Sequence, residues 1–358
     1  MVIATLASAC GGGGAAGYGG AGDGGVTADG AIERDAALDA GTVVLASGRI
    51  LFAAHHTSNP DAPMRLYVVN ADGSGLARIQ VPSTTDSTDF GTPEIERYAP
   101  GAWRVAYGQN GITVFDSVAG TVAHVGGQGA TRADFNADAS RVVYQQGTGG
   151  AAGINLFSAN TDGTSIVQLT HVPASNNAEW PYFVPGTERI LHFATFGTSL
   201  QHTMGLDGAA ELQLAMPGGA AASHESMKAD GSEFLNAELL TSYSTTTGAI
   251  GSLNNLKGTT TLMAQLDALG YLEVPIASIP GQANRGTFAL SADWSRDGTN
   301  IVFDALLRDK ASGNQAGIGV FVYDIVQDTL RLIYGPEPFN GARTNNYNYS
   351  IHTPKWVP

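Results

Sequence analysis

From about residue 42 onward the chain repeats two turn signatures at a spacing of about 40 residues, a period that points to propeller blades. Units of this kind cannot bury their apolar faces alone and must stack on their neighbours. One signature is an apolar strand, an Asp-Gly turn and a second strand: LYVVNADGSGLARI from Leu66, LFSANTDGTSIVQL from Leu156 and TMGLDGAAELQL from Thr203. The Asp side chain can bond the backbone of the turn, while Gly accepts the positive φ that a tight hairpin demands. The other is an aromatic-ended strand, a turn and an aliphatic strand. It reads ADWSRDGTNIVF from Ala292, ADFNADASRVVY from Ala133, ERYAPGAWRVAY from Glu96, PYFVPGTERILH from Pro181 and ESMKADGSEFLN from Glu225.

Together these segments resemble the TolB-type, WD40-like repeat, whose pattern is roughly P-x-W-S-P-D-G-K-x-I-x-F followed by Y-x-x-N-x-D-G-S and a final strand. The resemblance covers nearly all of the chain after residue 42 and implies an all-β, six-bladed β-propeller of four-stranded blades. The first blade lacks an aromatic-ended inner strand, and the C-terminal Thr353-Pro354-Lys355-Trp356-Val357-Pro358 matches the missing piece. Thr353 to Val357 is therefore expected to pair antiparallel with residues around Arg49 to Ala53, burying Trp356 between blades and removing two exposed strand edges.

Composition agrees with strands and turns: 14% of the residues are charged, 43% are hydrophobic and 47 of 358 are Gly. The net charge of −14 comes with no Lys/Arg run, which argues against nucleic acid or an anionic membrane surface as partners. Residues 11–41 hold hardly any large apolar side chain and read as a flexible Gly/Ala-rich tether. Before them, Leu6-Ala7-Ser8-Ala9-Cys10 resembles the end of a bacterial lipoprotein signal, with Cys10 as the lipidation site and residues 1–10 as a signal remnant. Residues 42–358 are then one propeller, monomeric, in the bacterial cell envelope, periplasmic or surface-exposed. It would meet the membrane only through an N-terminal lipid anchor.

In such a blade the inner hairpin and the outer Asp-Gly turn lie on one face, and the remaining connections on the other. The second set is longer and includes Ser83 to Pro93, Thr241 to Thr261, Ile276 to Leu290 and Pro336 to Ile351. Irregular loops on a rigid scaffold are where function concentrates, so the binding site is expected on this long-loop face and the channel mouth. The candidate binding residues are Glu94, Glu179, Trp180, His224, Tyr243, Arg343, Tyr347, Tyr349 and His352. His224, His352, Glu94 and Glu179 are also the candidate ligands of a divalent cation in the channel; no other cofactor is expected. One step further along the inner strands, Lys355, Arg97, Asp134, Tyr182, Ser226 and Asp293 should form a ring, with opposite charges pairing between neighbouring blades.

No G-x-S-x-G elbow and no P-loop occurs, and no catalytic residue is nominated. The resemblance implies a non-catalytic envelope scaffold that docks a protein or peptide partner. The alternative is a metal-dependent carbohydrate-active enzyme resembling oligogalacturonate lyase, whose relatives share WD40-like repeats.

Overall fold

The second strand of each repeat is apolar on both sides, which suits a strand covered by a neighbour on either face. In Arg49–Ala54, Ile50 and Phe52 pack toward the last blade, while Leu51 and Ala53 pack toward the second. The computed structural model describes residues 48–54, 65–79, 81, 94–99, 102–108, 111–147, 153–173, 176–195, 200–217, 226–237, 240–273, 289–313, 315–337 and 351–357. Cys10 and the tether lie outside them. All described residues belong to one compact unit, Ala36–Pro358.

Six antiparallel blades result. The first takes its inner strand from Ile351–Trp356 and continues through Arg49–Ala54, Arg65–Asn70 and Ala77–Ile79. The second runs Glu94–Ala99, Ala102–Tyr107, Ile112–Asp116 and Thr121–Val125; the third Ala130–Phe135, Arg141–Gly147, Ile154–Asn160 and Val167–Gln168. Ala178–Val184, Arg189–Ala194, Leu200–Gly205 and Leu212–Gln213 make the fourth. The sixth has Ala289–Trp294, Asn300–Asp309, Gln315–Asp324 and Thr329–Glu337, with Tyr271–Glu273 added beside Asn300–Asp309. Six apolar clusters fill the seams, one between each successive pair of blades including the sixth and first.

The fifth blade departs from the expectation of a long irregular loop at Thr241 to Thr261. After Ser226–Met227 and Glu233–Asn236, Thr241–Ser244 is its third strand, and backbone bonds Ser244 N to Ala249 O and Ser242 N to Leu253 O build the outer edge. A 3-10 turn at Leu256–Gly258 and the helix Thr260–Ala268 follow, the helix burying Leu262 and Leu266 against the sixth blade. Thr-Ser-Tyr-Ser carries no aliphatic alternation, so it does not read as a strand. Polar bonds hold it instead, with Glu233 Oε2 accepting from Ser242 Oγ at 2.6 Å, Ser252 N at 2.9 Å and Ser252 Oγ at 2.7 Å.

The Asp-Gly turns have a second reason for their glycine. Gly163 and Gly208 have positive φ, and a Cβ on either would lie inside contact distance of a backbone carbonyl in the preceding blade, His124 O and Leu169 O respectively. The outer turns can thus sit on their neighbours only without a side chain.

The ends close the ring as expected. Ile50 faces Trp356, Leu51 faces Lys355, and Ala53 faces His352, while Val357 N donates to Arg49 O at 2.7 Å. Trp356 is buried in the cluster between the sixth and first blades. Replacing Trp356 by Ala should cost about 3–5 kcal/mol and lower the melting temperature by on the order of 10 °C. Deleting 351–358 should in addition yield self-associating protein through the two exposed edges. A deletion variant that stays monomeric and melts with the wild type would refute the closure.

Candidate functional site

Each inner strand sends one residue, just before the apolar anchor that enters the seam, toward the channel. Set opposite equivalent positions of the second strands, these residues are Lys355, Glu94, Asp134, Tyr182, Ser226 and Asp293. The anchors behind them are Trp356, Ile95, Phe135, Phe183, Met227 and Trp294. The second blade differs from the sequence expectation, because Glu94 and not Arg97 takes the ring position. Nine residues separate the paired Ile95 and Val105, against six between Phe135 and Val142 or Trp294 and Ile301. The three extra residues lengthen the hairpin, and the Tyr98 that reads as the anchor lies in that extension.

Half of the ring clamps the next blade. Asp134 Oδ2 accepts from Phe183 N at 2.7 Å, Ser226 Oγ accepts from Trp294 N at 3.2 Å, and Asp293 Oδ2 accepts from Trp356 N at 2.8 Å. Ser226 Oγ also donates to Asp293 Oδ1. Each clamp ties a side chain of one blade to the anchor backbone of the following one, so ring geometry and seam packing are set together.

Lys355 crosses the channel. Its Nζ lies 3.0 Å from Glu94 Oε1 on the neighbouring blade and 5.6 Å from the ring centroid of Tyr182 on the opposite one. Burial acts on Lys355 against its charge, but Glu94, Asp293, Tyr182 and Asp134 outweigh it and hold the ammonium above its usual range. The carboxylates outnumber the ammonium. Burial first, then repulsion from Asp134 and Asp293, pushes Glu94 up to about 8 against the pull of Lys355. Burial pushes Asp134 up to about 7 and raises Asp293.

Toward the long-loop face, two inner strands bulge and hold ordinary residues in the left-handed region, Arg132 at φ 52° and Trp180 at φ 50°. Trp180 N donates to Gln145 Oε1 of the third blade at 2.8 Å. Its indole stacks on Phe193 at 5.8 Å, with the Arg132 guanidinium 5.2 Å over the indole. Beside them, burial raises the Glu179 carboxyl while Arg132 opposes the rise.

Of the residues singled out in the sequence, the structure brings Glu179 and Trp180 together here and sets Glu94 apart, in the ring. Tyr243 stands buried against Phe234, in the core between the fourth and fifth blades. His352 is placed by its backbone in the closing strand. His224, Arg343, Tyr347 and Tyr349 lie outside the described residues. Among the described residues no group of three or more His, Cys, Asp or Glu side chains is arranged to hold a metal ion. The missed participants are Arg132 and Gln145; no local signal marks either, since their roles follow from a bulge and from a neighbouring blade.

A closed ring of six blades with a polar belt around a central channel defines a β-propeller. Its fold is TolB-like. TolB from Acinetobacter baumannii superposes with a TM-score of 0.60 at 13% identity, over 87% of this chain and 67% of that one. A puromycin hydrolase gives a TM-score of 0.49 at 12% identity, over 85% of this chain and 56% of the other. An oligogalacturonate lyase in complex with manganese gives 0.44 at 12% identity, over 82% and 77%. No protein-family model and no curated protein matches the sequence. At these identities the likeness is one of fold.

The raised carboxyls make the ring pH-sensitive. A carboxyl whose folded pKa lies above its unfolded value stabilises the fold below the unfolded value and loses that contribution as pH rises through the folded one. Thermal stability should therefore decline between about pH 5 and pH 8, and Glu94→Gln should flatten that decline. Parallel melting curves of wild type and variant across this range check it; equal slopes would mean that Glu94 does not titrate there.

Proposed function

We propose that the chain is a cell-envelope binding scaffold that docks a protein or peptide partner on its long-loop face, with Arg132, Glu179 and Trp180 as part of the contact. The observation that carries this reading is the division of labour along the inner strands. The ring's polar groups are committed to clamps and to the Lys355–Glu94 pair, a structural use. The Arg132–Trp180–Phe193 stack, in contrast, sits on two bulges at the channel's other level, on side chains that are only partly buried. Partly covered Trp and Arg on a rigid support are the residue types that dominate binding energies. The TolB-like fold supports the same reading, since the resemblance implies partners docked on a propeller face.

A photoreactive residue at Trp180 in the full-length protein, irradiated in its native envelope, should yield one discrete cross-linked species. The same probe at exposed Asp230, on the hairpin face, should not yield that species. Arg132→Ala should weaken the capture while leaving melting within a few degrees of wild type. Cross-linking confined to Asp230, or metal-dependent cleavage of an acidic oligosaccharide by the purified protein, would replace the scaffold with another function.

The scaffold is held to its membrane by lipid on Cys10. Among the described residues no helix is long and apolar enough to cross a membrane. Wild-type protein made in a bacterial host should partition into detergent with a lipid mass on Cys10, and Cys10→Ser should move it to the aqueous phase. A soluble wild type with an unmodified thiol would rule the anchor out.

A further inference from the structure

Away from the channel, the seam between the third and fourth blades holds a pair of histidines where apolar side chains would suffice to fill the space. His192 and His202 stand directly opposite each other on the second and third strands of the fourth blade, ring centroids 5.5 Å apart. They alternate with Ile190 and Met204, which pack against Val143, Leu156 and Leu169 of the third blade, so the two imidazoles face that seam. His192 is 1% exposed, and neither of its ring nitrogens makes a hydrogen bond. One half-exposed carboxylate serves both rings: Glu211 Oε1 lies 3.0 Å from His202 Nδ1 and 3.5 Å from His192 Nε2.

This trio has room for one proton and not for two. A first proton makes an imidazolium beside a carboxylate; a second sets two imidazoliums side by side in an apolar seam with one carboxylate between them. Burial first, then His192, holds His202 below its usual range against the pull of Glu211, and no other charge acts on it. The charged neighbours are turned elsewhere. Arg189 and Glu179 lie on the opposite face of the blade, Arg189 bonded to Thr203 Oγ1 and Ala210 O. On the third blade, Arg141 is bonded to Ser158 Oγ and His171 is exposed. As pH falls below about 6.5, the value of a free histidine, an opened seam takes up a proton that the closed seam refuses, and the closed form loses stability. The ring answers in the opposite sense, its raised carboxyls favouring the folded state in acid, and Asp134 still accepts from Phe183 N across this same seam at the axis. Acid therefore acts on the outer part of one seam and leaves the ring closed.

The docking stack straddles that seam. Arg132 and Gln145 come from the third blade, Trp180 and Phe193 from the fourth, and Phe193 follows His192 in the chain. We infer that His192, His202 and Glu211 form an acid-operated latch: when the second imidazole takes a proton the seam loosens, and the docking surface built across it lets go of its partner. Release of a partner rests on the docking reading above, whereas the opening of the seam does not.

Amide hydrogen exchange on the full chain between about pH 7.5 and about pH 5, corrected for the intrinsic rate at each pH, tests the latch without any partner. Protection of Arg189–Ala194 and Leu200–Gly205 should fall by up to roughly tenfold per pH unit below about 6.5, while Asn300–Asp309 in the sixth blade keeps its protection. Two variants should move this fall in opposite directions. Glu211→Gln should deepen it, because neither imidazole then has a counter-charge. His202→Gln should abolish it, because Glu211 compensates the one proton that remains; should that variant fail to fold, Glu211→Gln decides alone. Constant protection in the fourth blade, an equal loss in all six blades, or a fall that Glu211→Gln does not deepen would overturn the latch. In a second arm, the photoreactive residue at Trp180 should lose its cross-linked species at about pH 5 and keep it when His202→Gln is added. A cross-link that persists while the seam opens would overturn the release of the partner. Absence of a cross-link at every pH would strike the docking reading, and the exchange result would still decide the latch.

Discussion

Everything in this molecule depends on the closing of a ring whose parts cannot stand alone. Each second strand is apolar on both faces, so it needs a blade on either side, and the first blade has no such cover until the last strand returns to it. Ile351–Trp356 supplies two things at once. Trp356 fills the seam between the sixth and first blades, and Lys355 brings the only ammonium into the polar belt. Closure is thus a packing event and an electrostatic event on adjacent residues of one strand. A propeller that failed to close would expose two strand edges and leave Glu94 without its partner.

The polar belt is an expensive way to line a channel, because removing charges from water costs several kcal/mol per ion before any pairing is counted. Its geometry shows what offsets that. Asp134, Ser226 and Asp293 do not merely pair with other side chains; they accept backbone N–H bonds from the following blade, groups that would otherwise be orphaned at the seam. A hydrophobic residue at these positions would fill the space and lose the bond. Register between blades is therefore written in hydrogen bonds at the axis and in apolar packing further out, the outer turns adding close backbone approaches at Gly163 and Gly208. Arg104 makes a further stitch, reaching from Asp116 at 2.8 Å in its own blade to Thr161 Oγ1 at 3.0 Å in the third.

The architecture was legible in the sequence because its strongest cues are local. An Asp-Gly hairpin needs only a few residues to declare itself, and the repetition of two hairpin types at one period leaves few alternatives. The incomplete first blade and the Pro-Lys-Trp end made closure legible as well. The ring was legible where the spacing held, at Lys355, Asp134, Tyr182, Ser226 and Asp293. It failed at the second blade, where an extended hairpin places a tempting Tyr98 three residues beyond the true anchor, Ile95. The Thr241–Ser244 strand was hidden for a different reason: polar bonds to Glu233 hold it, and hydrophobic alternation does not. Arg132, Gln145 and the interblade clamps depend on what the neighbouring blade presents. A sequence pattern within one repeat carries no information about that.

The position of Lys355 gives the channel two independent ends. Its ammonium touches the blade beside it and the blade opposite, so the belt acts as a septum across the axis. On one side stand the bulged strands with Arg132 and Trp180; on the other, a cavity lined by the anchors and by Glu96, Ser295 and Arg296 leads to the short hairpins. Nothing passing along the axis could avoid the belt, and any ligand entering from the hairpin side must meet its carboxylates. The same few residues also hold the blades in register. Asp293 accepts from the Trp356 backbone N–H, and Lys355 beside Trp356 pairs with Glu94, so the belt and the closure of the ring are held through the same strand.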